Sequence, residues 1–324
     1  MNGPKLNFVA SYPKSGNTWV RMLIGTYLYN AEGKFTRTKT SDTNTTPFHN
    51  VSPVPLDRLG FEQQMQLRPA AMLQLARPPR ATLVKSHDAA VIFKGMAQFA
   101  PQFTGRVICV VRDPKDVAPS LADHIGVSIE EAVEKMDEQG FRLKGDNNLA
   151  HFTSSWSINV KSWLEYDQAP THFVRYRDLH ADTEGELTAI LEFLGFEDID
   201  PEAVRRSVEE NRFENVRKEE EESGFSEQSD SQDRFFRKGK TGSWREDVPE
   251  HLARRIETDH GAVMRELGYD LALVDEPAPF DGDDAPPPDA DVGSGADDSV
   301  DEPEESAGPA GRESGVNEVG VAVG

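Results

Sequence analysis

A short apolar run near the start of the chain, Leu6–Ala10, leads directly into a turn of small and polar residues and then into apolar residues at helical spacing. The pattern predicts a buried strand, a tight turn and a helix in immediate succession. Such a junction points several backbone N–H groups and the positive end of a helix dipole at one place, which suits a bound phosphate or sulfate. Lys14 adds a positive charge to this turn, and Ser15, Asn17 and Thr18 add hydrogen-bonding side chains.

Further strands are predicted downstream, at Ala81–Lys85, Arg106–Val111 and Thr171–Arg175, with helical patterns between them. Strands that alternate with helices predict an α/β fold, in which a parallel sheet is flanked by helices. Ligands of such folds gather at the carboxyl ends of the strands. Lys85 and His87 fall at one of these ends, and a histidine with a pKa near neutrality can take a proton from a hydroxyl group.

The strand Arg106–Val111 ends at Arg112 and leads into a strong helix-start signal. Asp113 is expected to be the N-cap and Pro114 the first helical residue. Ser120 follows Arg112 by eight positions, so a guanidinium and a hydroxyl can converge on one phosphate. Pro119 removes a helical hydrogen bond just before Ser120 and is expected to bend or loosen the turn there.

A third candidate anion site lies near residue 240. The string Arg237-Lys238-Gly239-Lys240 contains three cations within four residues, and Gly239 and Gly242 allow backbone N–H groups to approach a ligand. The segment predicts an anion clamp. A basic surface loop is the alternative interpretation.

Less regular segments connect these motifs. We expect a long loop at Lys34–Pro55, amphipathic helices at Ser128–Lys144 and Asn147–Tyr166, and a mobile, charged segment at Lys218–Phe236. In the second of these helices the aromatic side chains, among them Trp156 and Trp163, are expected to belong to the core.

The end of the chain has a different composition. From Asp275 to Gly324 there are fifteen acidic residues and one basic residue, Arg312. This composition predicts a disordered acidic tail over 275–324 and a folded domain over 1–274. The tail carries −14 of the formal net charge of −22, which leaves −8 for the domain. An acidic domain argues against general nucleic-acid binding, because phosphate backbones require a positive surface.

The remaining composition suggests a cytoplasmic location. Neither a signal peptide nor an apolar run of the roughly 18 residues needed for a membrane span is evident in the sequence. Cys109, the single cysteine, lies in an apolar strand and is expected to be a core residue.

The first motif differs from the P-loop of nucleotide triphosphatases, because its lysine precedes the glycine. The string Y-P-K-S-G-N-T-W, residues 12–19, resembles the 5′-phosphosulfate loop of the cytosolic-type sulfotransferases, with Asn17 in place of a threonine. The strings K-S-H at 85–87, R-D-P-K-D-V-A-P-S at 112–120 and R-K-G-K-T-G-S-W-R at 237–245 resemble the family's base motif, 3′-phosphate motif and closing segment. Taken alone, the first string could also be an ordinary strand-to-helix turn with one exposed lysine.

The resemblance implies a P-loop-like parallel sheet flanked by helices and 3′-phosphoadenylyl sulfate (PAPS) as sulfuryl donor, without a metal. His87 would be the general base, and Lys14, Lys85 and Ser120 would stabilise charge. Tyr176 would reach the adenosine, and Phe213 would pair with Trp19 across the adenine. The donor-binding residues implied are Lys14, Ser15, Gly16, Asn17, Thr18, Trp19, Arg112, Ser120, Tyr176, Phe213, Arg237, Lys238 and Gly239.

Two other functions remain open on the sequence. One is a nucleotide or small-molecule kinase, and the other is a non-catalytic protein that binds adenosine 3′,5′-bisphosphate. For an enzyme, the expected partner is a small-molecule acceptor with a hydroxyl or amine. The oligomeric state is open, because no dimerisation pattern is evident.

Overall fold

The strands form one central sheet and two small hairpins in the computed structural model, which describes residues 5–29, 40–76, 82–144, 149–225, 227–228, 231–232 and 234–280. The strands of these residues are β1 (Leu6–Ser11), β2 (Thr82–Ser86), β3 (Ile92–Phe93), β4 (Met96–Ala97), β5 (Thr104–Val111), β6 (Arg142–Lys144), β7 (Ala150–Phe152) and β8 (Thr171–Arg175). The central sheet is parallel throughout and has the order β2-β1-β5-β8. Val9 of β1 pairs with Lys85 on one side and with Ile108 on the other. The strands β3 and β4, and likewise β6 and β7, form antiparallel pairs.

Helices cover both faces of this sheet. They are α1 (Asn17–Tyr29), α2 (Thr45–Val51), α3 (Phe61–Leu75), α4 (Pro114–Ile125), α5 (Ile129–Asp137), α6 (Trp156–Leu164), α7 (Tyr176–Ala181), α8 (Thr183–Leu194), α9 (Pro201–Glu210), α10 (Phe213–Ser223), α11 (Trp244–Asp247) and α12 (Glu250–Glu266), with a 3-10 turn at Leu56–Arg58.

The core is divided by the sheet because successive strand residues point to opposite faces. On β1, Phe8 and Ala10 pack with α4, α6 and α12, whereas Val9 packs with α1, α8 and α9. Trp156 and Trp163 are fully buried, as predicted, and each contributes about 3 kcal/mol of apolar burial. Cys109 lies in the same core, where burial raises the pKa of its thiol.

The carboxyl ends of the four central strands meet at one edge of the sheet, which confirms the predicted α/β architecture. The turn after β1, the residues His87 and Arg112, and the start of α7 therefore lie at the same edge. At the start of α4, Asp113 accepts a hydrogen bond from the Lys115 backbone N–H at 2.9 Å, as expected for an N-cap.

The predicted helix Ser128–Lys144 was too long, because α5 ends at Asp137. The predicted helix Asn147–Tyr166 was also wrong in part, since β7 and α6 divide its described residues. The β7 backbone makes long-range bonds that override its local pattern: the Phe152 N–H donates to the Asp88 carboxylate, and the Ala150 N–H donates to Gln64.

Two predicted irregular segments contain helices. The α2 helix lies within the expected loop Lys34–Pro55, of which residues 34–39 are outside the described part. The α10 helix extends to Ser223 and so covers the first part of the segment Lys218–Phe236. Its Glu220 side chain, 6% exposed, accepts hydrogen bonds from the Phe235 and Phe236 backbone N–H groups. These bonds tie α10 to the charged segment that follows it.

The described chain continues past the predicted domain end at residue 274. The Ala278 N–H donates to the Thr258 carbonyl of α12 at 3.0 Å, so the first residues of the expected tail contact the domain. The rest of that tail, 281–324, lies outside the described residues. Within the described part, none of the helices has both the length and the apolar character needed to cross a membrane.

Candidate functional site

A cavity of about 1060 Å³ opens at the carboxyl edge of the sheet. Residues of all three predicted anion-binding segments line it, including Lys14, Arg112 and Arg237. The other predicted site residues that line it are Gly16, Asn17, Thr18, Trp19, Lys85, His87, Ser120, Tyr176, Phe213, Lys238 and Gly239. Ser15 is not among the lining residues and is fully buried within the first loop.

The loop between β1 and α1 depends on two residues with left-handed backbones. Gly16 has a φ of +107°, and a Cβ atom there would lie 2.6 Å from the Tyr176 ring. Lys14 has a φ of +64°, which is uncommon for a residue with a side chain. Backbone strain of this kind is concentrated at functional sites. The strain supports the interpretation of this loop as a ligand-binding element.

Several buried polar atoms of the loop region have no hydrogen-bond partner among the described residues. They are the Lys14 ammonium, the Ser15 hydroxyl and the Arg112 Nε. Burial lowers the pKa of Lys14 to about 8, against a partial opposing effect from Asp123, and Lys85 and Arg112 lower it further. An anion bound here would supply acceptors for these donors and compensate the buried charge. The residues therefore fit a phosphate or sulfate group.

The Lys14 ammonium is also close to an aromatic ring. It lies 4.2 Å from the ring centroid of Phe235, which comes from the segment just before the anion clamp. Such a cation–π contact is worth on the order of 1 kcal/mol and helps to hold the charge in place.

Asn17 was predicted to contact a bound donor, but its side chain bonds to the protein itself. The amide nitrogen donates to the Val9 carbonyl at 2.8 Å, and the amide oxygen accepts from Arg21 Nε at 2.8 Å. The side chain therefore holds the loop against β1 and α1, and its predicted role in binding the donor remains a prediction.

A carboxylate already lies at the helix end of this loop. Glu227 accepts hydrogen bonds from the Thr18 hydroxyl at 2.8 Å and from Arg21 at 2.7 Å, and it lies 3.9 Å from the Lys85 ammonium. A carboxylate among these groups shows that the position attracts negative charge. An anion that accepts a hydrogen bond from the Thr18 hydroxyl has to displace Glu227.

The hydrogen bonds of His87 determine which of its nitrogens is free. Its Nδ1 lies 3.0 Å from the Ser11 carbonyl oxygen, which can only accept, so Nδ1 carries the proton and donates. The other nitrogen, Nε2, then holds a lone pair. Burial lowers the pKa of His87 well below its usual value, and the nearby Lys85 and His151 lower it further. His87 is therefore neutral at pH 7 and able to accept a proton.

Arg112 connects the first and third anion-binding segments. Its guanidinium donates to the Lys14 carbonyl at 3.2 Å and to the Lys240 carbonyl at 3.0 Å. It also stacks 4.5 Å from the ring centroid of Tyr176, at the end of β8. One side chain thus brings three loops of the cavity wall together.

The third segment is positioned by α4. Asp116 accepts hydrogen bonds from the backbone N–H groups of Gly242 at 2.7 Å and Trp244 at 2.9 Å. Arg237 and Lys238 both pair with Asp247, at 2.9 Å and 2.7 Å. These two cations line the cavity and are already paired with the Asp247 carboxylate. A bound phosphate would compete with Asp247 for them.

Aromatic side chains form another part of the wall. Trp19 donates from Nε1 to the Asn211 carbonyl at 3.1 Å and packs edge-on against Tyr176. Phe213 lies directly against Gly239, where a Cβ atom would be 2.1 Å from its ring. Only glycine fits there, and its φ is +60°. Trp19 and Phe213 both line the cavity, so their predicted pairing across an adenine remains compatible with this arrangement.

Pro119 does not interrupt α4, which continues to Ile125. Ser120 follows it, is half-buried, and lines the cavity. The expected bend at Pro119 therefore does not remove Ser120 from the site.

Some charged residues of the site were not found from the sequence. Asp42, Arg68, Asp88 and His151 form a buried cluster beside His87, and Arg21 and Glu227 form an ion pair next to the first loop. Asp42 lies in a polar stretch that was interpreted as a loop, and His151 lies in a segment that was interpreted as a helix. The local sequence pattern around each of these residues does not indicate that they are in contact in the folded chain.

The carboxylates of this cluster do not indicate a metal site. Oxygen and nitrogen atoms of Asp42, Asp88 and His151 lie within 4.8 Å of one another. Arg68, however, already forms ion pairs with both carboxylates, so its guanidinium supplies the compensating charge. We interpret the cluster as an ion-pair network.

Comparison with known proteins identifies the same family as the sequence motifs. The sulfotransferase domain family matches residues 4–268. Cytosolic sulfotransferase 17 of Arabidopsis thaliana is 25% identical over 273 residues, which cover 77% of this chain and 71% of that protein.

Solved structures share the fold. A mouse sulfotransferase, SULT7A1, complexed with PAP has a TM-score of 0.55 and 20% identity, with 82% of this chain and 86% of that chain covered. A retinol dehydratase in complex with androsterone and the inactive cofactor PAP has a TM-score of 0.54 and 22% identity, with 84% and 83% covered.

Proposed function

The chain belongs to the sulfotransferase family, and we propose that it transfers the sulfuryl group of PAPS to a hydroxyl or amine of a small-molecule acceptor. The observation that carries this proposal is the convergence of Lys14, Arg112 and Arg237 on one cavity that also contains His87. A nucleotide that is phosphorylated at two positions needs two separated anion sites, and each of these residues comes from a different one of the three anion-binding segments. The two related structures were solved in complex with PAP (adenosine 3′,5′-bisphosphate), and this supports PAPS as the donor.

The donor would be held at three places by this chain. Lys14 and the backbone N–H groups of the loop up to Thr18 would hold the 5′-phosphosulfate, because the Lys14 ammonium and the Ser15 hydroxyl are buried without a hydrogen-bond partner among the described residues and the loop ends at a helix N-terminus. Arg112, Ser120 and the segment Arg237–Gly239 would hold the 3′-phosphate. The aromatic residues Trp19, Tyr176 and Phe213 would hold the adenosine.

The bound donor supplies an activated sulfuryl group, and the protein contributes positioning and charge. His87 would take the acceptor's proton on Nε2, the nitrogen that its bond to Ser11 leaves free. Lys14 would stabilise negative charge at the leaving phosphate oxygen, and Lys85 would do so at the sulfuryl oxygens. Ser120 would lie near both Lys14 and the 3′-phosphate and would help to stabilise charge there. The proposed steps require no metal ion, because cationic side chains and N–H groups provide the stabilisation.

We predict that replacing His87 by Ala lowers turnover by about 10²–10⁴-fold, the usual contribution of a general base. The affinity for adenosine 3′,5′-bisphosphate should change little, because His87 does not lie among the phosphate-binding groups. Turnover is measured with labelled PAPS and a panel of phenols, alcohols, amines and sugars, and affinity by calorimetry. A matched control is His49→Ala, since His49 is exposed on α2.

The same measurements, with calorimetry of ATP and magnesium added, distinguish the other functions. If turnover survives in His87→Ala, the assignment of the base is wrong. If the protein transfers sulfate to no acceptor but binds adenosine 3′,5′-bisphosphate, it is a binding protein. If it binds ATP with magnesium and does not bind the bisphosphate, a kinase is the better interpretation.

A further inference from the structure

A buried arginine lies one turn into helix α1, next to the first anion-binding loop. Arg21 is 1% exposed and lines the cavity. Its Nε atom donates to Asn17 Oδ1 at 2.8 Å, which fixes the orientation of the guanidinium. A guanidinium buried to this degree is costly unless an anion compensates its charge. The anion that Arg21 contacts therefore indicates what kind of group its surroundings accept.

The anion in the structure is the Glu227 carboxylate, which Arg21 shares with Thr18. Glu227 Oε1 accepts a hydrogen bond from Arg21 Nη2 at 2.7 Å. Glu227 Oε2 accepts from the same nitrogen at 2.8 Å and from the Thr18 hydroxyl at 2.8 Å. A single oxygen atom thus contacts Thr18 and Arg21 together. An oxyanion that replaces this oxygen on the Thr18 hydroxyl is therefore within hydrogen-bond distance of Arg21 as well.

The shared anion position lies towards Lys85 and is separate from the Lys14 ammonium. The Glu227 carboxylate is 3.9 Å from Lys85 Nζ, whereas Lys14 Nζ is buried without a hydrogen-bond partner among the described residues. Two anion positions are thus present, one at Lys14 and one at the Glu227 carboxylate. A phosphosulfate also consists of two linked anionic groups. With its phosphate at Lys14, its sulfuryl group would take the position of the Glu227 carboxylate.

A chain of hydrogen bonds connects Arg21 to the proposed base. The Asn17 amide, which holds Arg21, donates to the Ser11 hydroxyl at 3.3 Å, and that hydroxyl lies 3.2 Å from His87 Nδ1. All four side chains are buried. The guanidinium and the imidazole are therefore fixed relative to each other. A group bound by Arg21 is thereby kept in position relative to the atom that accepts the proton.

We propose that Arg21 is a further catalytic residue, whose guanidinium binds the sulfuryl oxygens of the donor at the position that Glu227 occupies in the structure. This inference rests on the proposed sulfuryl transfer, and Glu227 leaves its position when the donor enters. In the transfer step the acceptor oxygen bonds to sulfur, and the acceptor proton passes to His87. The bond from sulfur to the bridging phosphate oxygen breaks, and its electron pair stays on that oxygen. Arg21 keeps its protons, orients the sulfuryl group and stabilises its charge.

The test removes the charge of Glu227 first, so that the effect of Arg21 is measured without an unpaired carboxylate beside it. Glu227→Gln is compared with the double variant Arg21→Gln/Glu227→Gln by calorimetry and by turnover of labelled PAPS. The loss of Arg21 should lower the affinity for PAPS by about tenfold, the effect of one hydrogen bond between charged groups. The affinity for adenosine 3′,5′-bisphosphate, which has no sulfuryl group, should change by less than about twofold. Turnover at saturating donor should fall by about 10²-fold.

Glu227→Gln by itself tests the displacement of the carboxylate. It should bind PAPS several-fold more tightly than the wild-type protein, because the donor no longer has to displace a charged group. A surface ion pair provides the matched control. Arg205 and Glu202 of α9 lie 2.7 Å apart and do not line the cavity. The double variant Arg205→Gln/Glu202→Gln should therefore change neither the two affinities nor the turnover.

Three results would overturn the inference. One is wild-type turnover in the double variant, because Arg21 would then only neutralise Glu227. The others are an equal loss of affinity for both nucleotides, and a Glu227→Gln protein that binds PAPS no more tightly than the wild type. If the double variant does not fold, Arg21→Lys in the Glu227→Gln protein replaces it. An ammonium lacks the planar fork of the guanidinium, so the affinity for PAPS alone should again fall. A wild-type protein that binds neither nucleotide contradicts the proposed sulfuryl transfer instead.

Discussion

Lys14 combines three costs in one residue: a left-handed backbone, a buried ammonium group, and no hydrogen-bond partner for that group among the described residues. Each cost is on the order of 1–3 kcal/mol. A residue of this kind persists only if its function requires it. A donor that is already desolvated and fixed binds an anion without the reorganisation that a surface lysine requires. The cation–π contact with Phe235 offsets part of the free-energy cost of burying the ammonium group.

We predict that the affinity for adenosine 3′,5′-bisphosphate falls as the pH rises through about 8, the lowered pKa of Lys14. A lysine loses its charge above its pKa, so anion binding weakens at higher pH, by up to about tenfold for each pH unit. Calorimetry between pH 6.5 and 9.5 measures this dependence. In Lys14→Arg the guanidinium stays charged throughout this range, so the affinity should not vary with pH. An equal loss of affinity in both proteins would show that another group titrates.

At the scale of elements, helix α4 organises the site through the residues of its first turns. Asp116 holds the backbone of the third segment, and Lys115 forms a buried ion pair with Glu257 of α12. The helix start after Arg112 thereby sets the position of a loop more than a hundred residues further along the chain. The closing segment is thus held by a buried carboxylate that does not line the cavity.

We predict that Asp116→Asn lowers the free energy of unfolding by about 1–3 kcal/mol, because the bonds to the Gly242 and Trp244 N–H groups lose their charged acceptor. Affinity for adenosine 3′,5′-bisphosphate should fall several-fold, since Arg237 and Lys238 lose their support. Urea denaturation and calorimetry measure the two effects. Asp137→Asn, at an exposed position of α5, is the control and should change stability by less than about 0.5 kcal/mol. Normal donor affinity in a destabilised Asp116→Asn protein would contradict this role.

At the scale of the whole molecule, the segment that follows α12 packs onto the domain. The Glu257 carboxylate accepts hydrogen bonds from the N–H groups of Ala272, Leu273 and Val274. Leu271 and Leu273 also pack against the main core. The segment after α12 therefore completes the partners of a buried carboxylate.

We predict that a chain ending at Phe280 keeps the melting temperature of the full chain, whereas a chain ending at Asp270 melts at least about 5 °C lower. Removing three hydrogen bonds to a charged group costs several kcal/mol, and 1 kcal/mol corresponds to about 2–4 °C in a protein of this size. Scanning calorimetry of the three chains measures the difference. Equal melting temperatures for the two shortened chains would show that the segment 271–280 does not stabilise the domain.

Local signals predicted the elements that carry the anion-binding motifs. The bounds of β8 were predicted without error, and those of β1 and β5 within two residues, because each of these runs has clear ends. Prediction failed at β6 and β7, whose residues have a helix-like pattern. The β7 backbone bonds to Gln64 and Asp88, which lie 86 and 64 positions away in the chain, beyond any local rule.

By itself, the sequence determined the parallel sheet, the strand-to-helix loops and the helix caps, since these depend on neighbouring residues and on the apolar period of each segment. The tertiary structure alone decided which charged groups and rings meet: Glu227 with Arg21, Arg68 with Asp42 and Asp88, and the ring of His151 with that of His87. The physical reason is that electrostatic interactions act through space over a few ångströms, and the distance between two charges in the folded chain is not contained in their separation along the sequence.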